Sequence, residues 1–236
     1  MSEAMALEVL AANVMGSRLN TAFTQTRVRL YGPEKGYTDL DAVAAAPVQK
    51  TLAITECKAR GPARAVYKLH DYDGLSNAGY CKSLKESAQA LFRPSNSWLS
   101  KSLQLGSDEA PWSGVERLEL WLFANVYVDP EDQDSMNARL AAEIRKDLGD
   151  AIPARIAVHA RVVSTLDLVL ESFSVVERWV TDFDWGVRSG DPVFDAMREL
   201  VRYKHARVEQ GGRGASPVVK AHFQRRVRQV LLGEPQ

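Results

Sequence analysis

The chain has 236 residues, 45% hydrophobic and 25% charged, which is the composition of a soluble globular protein with room for one large domain or a domain and an appendage. Thirty basic and thirty acidic side chains cancel, so attraction to a polyanion must come from local patches rather than a global field. The two cysteines, Cys57 and Cys81, are too few for a disulfide framework or a four-thiolate metal centre. There is no run of about 18 apolar residues of the kind that marks a membrane span. Glu3 and Glu8 near the start, without a basic segment followed by an apolar one, do not read as a signal peptide, and a reducing cytoplasm is the expected compartment.

Residues 2–25 carry an apolar stripe of Met5, Leu7, Val9, Leu10, Val14 and Leu19 and predict a helix. TRVRLYG predicts a short strand over 26–32, and GPEKG a turn. Two further strands are expected over 37–46 and 51–59, joined by PVQK. Between 61 and 113 the pattern weakens. GPAR and HDYDGLSNAGY read as loop and turn, KSLKESAQALF as an amphipathic helix ended by Pro94, and the stretch after it as irregular. VERLELWLFANVYVD, residues 115–129, is rich in strand-forming side chains and predicts one long strand. A helix over 132–150, a strand over 154–163 and a helix over 164–180 with Ser164 as its N-cap complete the main body. This order implies an α/β protein, a mixed central β-sheet flanked by helices over 1–182, with a basic helical extension over 183–236.

The stretch YTDLDAVAAAPVQKTLAITECKAR, from Tyr37 to Arg60, places charge in otherwise small and apolar strands. Strand side chains alternate, so Asp39 and Asp41 share a face, as do Glu56 and Lys58. A tight turn centred between Val48 and Gln49 pairs residues whose numbers sum to 97. Asp41 then lies across from Glu56 and Asp39 across from Lys58, at the roughly 4.5–5.5 Å spacing of opposed Cβ atoms. Two converging carboxylates suit Mg2+, a hard cation that binds one or two carboxylates and keeps several waters. A lysine two residues from a ligand can stabilise charge on a scissile phosphate. His70, His159, His205 and His222 show no ligand spacing, and HDYD reads as a turn. Cys57 points away from Glu56 and Lys58, as a small core residue would.

An Asp followed by small residues, then Glu-x-Lys on the next strand, resembles the PD-(D/E)xK nuclease superfamily, the restriction-endonuclease-like fold. The matching residues are Asp41 in DLDAVAA and Glu56 and Lys58 in TECKA. The resemblance covers about the first half of the chain, where helix, three-stranded meander, helix and strand follow the family's order. It implies a DNA-cleaving enzyme in which Asp41 and Glu56 bind Mg2+, with Mn2+ as a substitute, and Lys58 is catalytic. It also implies that Glu8, in the first helix, is an additional metal ligand. Leu40 stands where the naming proline would be, and QALFR from Gln89 departs from the Gln-x-x-x-Tyr of the RecB-like branch, so no subfamily is assigned. The chain lacks a sequence-reading module or motor, so a homodimer or a partner protein is expected to supply targeting. Two other readings stay open: a catalytically silent nuclease-like fold acting as a binding or assembly subunit, and a surface charge ladder on an ordinary structural module.

From Arg198 to Arg228 there are nine Lys/Arg against two acidic residues. Arg225, Arg226 and Arg228 are the candidate phosphate contacts on a terminal helix whose docking face would be Val219, Phe223, Val227 and Val230. The solvated face of a terminal helix and an assembly surface are equal alternatives for this segment.

Overall fold

The computed structural model describes residues 3–21, 23–31, 37–58, 66–92, 115–183, 197, 200, 201 and 217–228. Helix α1 spans Glu3–Arg18, shorter than its apolar stripe suggests. Asn20 takes a left-handed φ of 47°, and strand β1 (Phe23–Tyr31) begins inside what the pattern reads as helix. Phe23, Thr24 and Thr26 are aromatic or β-branched and favour the extended form. The reversal is tight: a Cβ at Gly16 would lie 2.9 Å from Thr24 Cγ2 and 3.0 Å from the Thr21 carbonyl, so only glycine fits there without a shift.

Strand β2 (Tyr37–Ala46) runs antiparallel to β1, and β3 (Thr51–Lys58) antiparallel to β2. Between them Pro47–Gln49 form one 3-10 turn, closed by Lys50 at a φ of 49° with its N–H on the Pro47 carbonyl. The connection has even length, and the pairs Ala46↔Thr51 through Ala42↔Thr55 keep the expected sum of 97. Strand β4 (Tyr67–Leu69) and helices α2 (Tyr72–Asn77) and α3 (Cys81–Leu91) follow. Strand β5 (Arg117–Ala124) is parallel to β3, and β7 (Ala157–Ser164) is parallel to β5, with the short strand β6 (Val126–Val128) and helix α4 (Pro130–Leu148) between them. The sheet order is β1-β2-β3-β5-β7, the mixed α/β sheet that the element order implies. Its parallel steps need long crossovers, which the helices supply.

Leu52, Ile54, Leu118, Leu120 and Leu122 from the sheet pack with Leu84 and Leu91 of α3 and Leu140 and Ile144 of α4 in one continuous core. Helix α1 packs against β1, β2 and β3 through a separate buried set that includes Ala11, Val14 and Met15. Buried Ala42, Ala44 and Ala46 of β2 are small enough to let a helix backbone come close to the sheet.

The long strand expected over 115–129 is two strands. It breaks at Asn125, after which β6 pairs with β4 in a separate two-stranded sheet. HDYDGLSNAGY is not a turn throughout, because Asp71 caps α2 by accepting the Gly74 N–H at 2.8 Å. Helix α5 (Thr165–Phe183) starts as expected: Ser164 Oγ accepts the Asp167 N–H at 2.9 Å. The chain divides into two compact units, Met1–Ser172 and Phe173–Gln236, so the division falls inside α5 and ahead of the expected 182/183 boundary. In the second unit the described element is α6 (Pro217–Val227). The side chains of Val219, Phe223 and Val230, the irregular stretch after Pro94 and most of the helical extension expected over 183–236 lie outside the described residues. Among the described residues no helix is long and apolar enough to cross a membrane.

Candidate active site

The sheet opens where its charge is concentrated. The β2–β3 ladder stops at Ala42↔Thr55, one pair short of Asp41 and Glu56. Asp41 uses the gap differently: its Oδ2 accepts the Cys57 backbone N–H at 2.6 Å, so a side chain takes the place of a strand partner. The β1–β2 ladder is interrupted at the same level. Thr26↔Ala42 and Val28↔Leu40 are paired, and Arg27, which faces Asp41 between them, is not. Arg27 has a φ of 56°, a left-handed conformation that any residue with a Cβ disfavours.

Glu56 is 3% exposed, with both oxygens engaged. The Ser87 hydroxyl of α3 donates to Oε1 at 2.5 Å, and Lys58 Nζ lies 3.3 Å from Oε2. Burial, and then the charge of Asp41, pushes the Glu56 carboxyl up to about 7, and Ser87 and Lys58 offset part of that rise. Asp41 is also raised, chiefly by burial and further by the charge of Glu8, against the Cys57 N–H and the charges of Lys58 and Arg27. Glu8, buried on α1, accepts from Arg27 Nε at 2.8 Å. Asp41 of β2 therefore senses Glu8 of α1, and Glu56 of β3 senses Asp41. Burial of Glu56 removes the surface-charge-ladder reading, because a solvated ladder would leave it in water.

The metal-free protein should lose stability between about pH 4.5 and 7 through Glu56. A carboxyl whose folded value lies above its unfolded one stabilises the fold below the unfolded value and loses that contribution as pH rises through the folded one. The contribution is on the order of 3 kcal/mol at most. Melting temperatures in chelator across this range should fall for the wild type and fall less for Glu56→Gln. Equal slopes would mean that Glu56 is ionised throughout.

Other expected positions resolve differently. Asp39 does not reach Lys58, because the β2–β3 ladder ends before it; it stands opposite Arg29 of β1, with Arg29 Nε 3.7 Å from its Oδ1. Cys57 is no nucleophile. Burial raises its thiol far above the ordinary value, and the charges of Asp41, Glu56 and Glu8 raise it further. Arg225, Arg226 and Arg228 are exposed on and just beyond α6, in the second unit. Ser87 and Arg27 escape the sequence reading. A serine on the apolar stripe of Leu84, Ala88 and Leu91 was the available signal for Ser87, whereas Arg27 alternates with buried Val28 and Leu30 like any solvent-facing strand residue.

Two further charged groups lie elsewhere. His70, Asp129 and Asp132 bring ligand atoms within 4.8 Å of one another, the one such trio among the described residues. Lys68 Nζ meets Asp129 at 2.8 Å, and the Lys68 and Tyr127 hydrogen bonds hold that carboxyl below its ordinary value, so its charge is already answered. Glu119 is buried on β5, bonded by Arg117 Nε at 2.6 Å and Trp121 Nε1 at 3.1 Å. Burial pushes its carboxyl up, but the Arg117 and Trp121 hydrogen bonds and the charges of Arg117 and Arg161 outweigh it and leave it below the ordinary value, as in a satisfied structural network.

Glu8, Asp41 and Glu56 do not close to the 4.8 Å ligand spacing as a trio. As a pair, Asp41 and Glu56 fit Mg2+, which binds through one or two carboxylates plus water and would offset the burial of both acids. Family models, curated proteins and solved structures offer no match to this chain.

Proposed function

We propose that the protein is a Mg2+-dependent endonuclease of the PD-(D/E)xK type, hydrolysing DNA phosphodiester bonds in the cytoplasm, in defence, restriction or repair. The supporting observation is buried Glu56 and half-buried Asp41 beside Lys58, where the β1–β2 and β2–β3 ladders break. Asp41 and Glu56 would hold the cation, with Mn2+ able to replace Mg2+, and a cation bound there would supply polarisation of a phosphoryl oxygen and a lowered water pKa. Lys58 donates to the phosphate or orients the attacking water, and Ser87 and the Cys57 N–H fix the two carboxylates. A homodimer or a partner protein brings the site to its target.

Incubation with single-stranded, double-stranded and branched DNA and with RNA, in Mg2+ or Mn2+, tests this reading. Cation-dependent cleavage of DNA is expected. Absence of both cleavage and Mn2+ stabilisation would favour the silent binding or assembly subunit.

In the same reading Arg225, Arg226 and Arg228 contact phosphates. Replacing all three with Gln should weaken every DNA sequence alike and flatten the log–log salt dependence of binding, by about 0.9 per lost contact on duplex DNA. An unchanged slope with an altered assembly state would make this segment an oligomer or partner interface.

A further inference from the structure

Resting on the nuclease reading above, we infer that the site uses one divalent cation and that Arg27, held by Glu8, supplies the second positive charge to the substrate phosphate. Glu8 is then a positioning residue for Arg27 and no metal ligand.

Three observations lead there. Arg27 leaves its ladder and adopts a left-handed backbone at the level where Asp41 leaves its own, and its guanidinium meets Glu8. Such strain persists where the surrounding structure over-determines it, and it gathers at functional positions. Second, Arg27 Nε holds Glu8 Oε2 at 2.8 Å, with the Glu8 side chain 9% exposed and the Arg27 side chain 50% exposed. One edge of the guanidinium is fixed, and its remaining N–H groups are available to an anion arriving from solvent. Third, Glu8 does not join Asp41 and Glu56 at ligand spacing.

Charge balance points the same way. Counted as formal charges, Glu8, Asp41 and Glu56 against Arg27 and Lys58 give the cluster one net negative charge. One divalent cation leaves a single positive charge, the complement of one phosphodiester. Two would leave a threefold excess in a partly buried site.

The experiment uses the full chain, Mn2+ alone as metal probe, and phosphorothioate-linked DNA, single-stranded and duplex, in Ca2+ as a slowly cleaved ligand. Calorimetric titration should give one Mn2+ per wild-type chain, none for Asp41→Asn, and one for Glu8→Ala with affinity within about threefold of wild type. Arg27→Gly removes the charge while accommodating the left-handed backbone, so the variant keeps the fold. Both Arg27→Gly and Glu8→Ala, which leaves Arg27 without its acceptor, should bind the DNA about tenfold more weakly, with a salt slope shallower by about 0.9 on duplex, and Arg27→Lys should restore the slope. Loss of affinity in Glu8→Ala is discriminating, because deleting an acid that merely repels the backbone would tighten binding. Two Mn2+ per wild-type chain, loss of Mn2+ from Glu8→Ala, or tighter DNA binding by that variant would overturn this inference and leave the nuclease reading standing. A wild type that binds no Mn2+ would overturn both.

Discussion

Asp41→Asn should abolish Mg2+-dependent DNA cleavage while leaving the fold intact. Its oxygen stands in the gap where β2 and β3 stop pairing and accepts the Cys57 N–H, a bond that the amide oxygen of Asn can keep. In the proposed site the substitution removes one of two anionic ligands, so turnover should fall by at least about two to three orders of magnitude, the typical loss when a preorganised electrostatic group is deleted. The metal-free variant should be slightly more stable, on the order of 1 kcal/mol, because facing like charges are destabilising and the charge of Asp41 helps to raise the Glu56 carboxyl. Initial rates across a Mg2+ series, with melting temperatures in chelator, measure both effects. Asp129→Asn belongs beside it as a control: if the His70 group were the metal centre, that variant would lose activity and Asp41→Asn would not. Full activity in Asp41→Asn would remove this end of the sheet from consideration.

Lys58→Ala should lower turnover about a hundredfold or more with DNA affinity nearly unchanged. Lys58 Nζ is 3.3 Å from Glu56 Oε2 and its side chain is 30% exposed, so it can face Glu56 and an incoming phosphate together. An interaction that strengthens only as charge builds on the phosphoryl oxygens acts on rate more than on binding. Single-turnover rates compared with dissociation constants for uncleaved DNA separate the two. The variant should also push the Glu56 carboxyl higher, since Lys58 is one of the groups that offset its rise. Binding that falls in proportion to activity would make Lys58 an anchor for the backbone of DNA.

Much of this site was legible because strand periodicity and turn length are arithmetic. A connection of even length between Ala46 and Thr51 fixes the register, and the pairs summing to 97 bring Asp41 level with Glu56 whatever the turn's conformation. What the pattern missed was departure from regularity. The left-handed backbone at Arg27 is invisible in TRVRLY, where alternation puts the arginines outward and hides that one of them turns back to Glu8. The break at Asn125 is equally silent, since VERLELWLFANVYVD favours the strand throughout and only long-range bonding splits it. Beyond the first unit, the sequence offered charge without geometry, so the role of the terminal arginines rests on composition and exposure.

Asn125 has a consequence of its own. Its N–H meets the Lys58 carbonyl at 3.4 Å, its carbonyl accepts the Tyr67 N–H at 3.0 Å, and its side-chain oxygen accepts the Tyr80 hydroxyl at 2.9 Å. One residue thus moors both the departure of the chain from β3 and its return at β4. The end of β3 that carries Lys58 and the start of β4 are therefore fastened to the same backbone unit, and a displacement of that unit would move both.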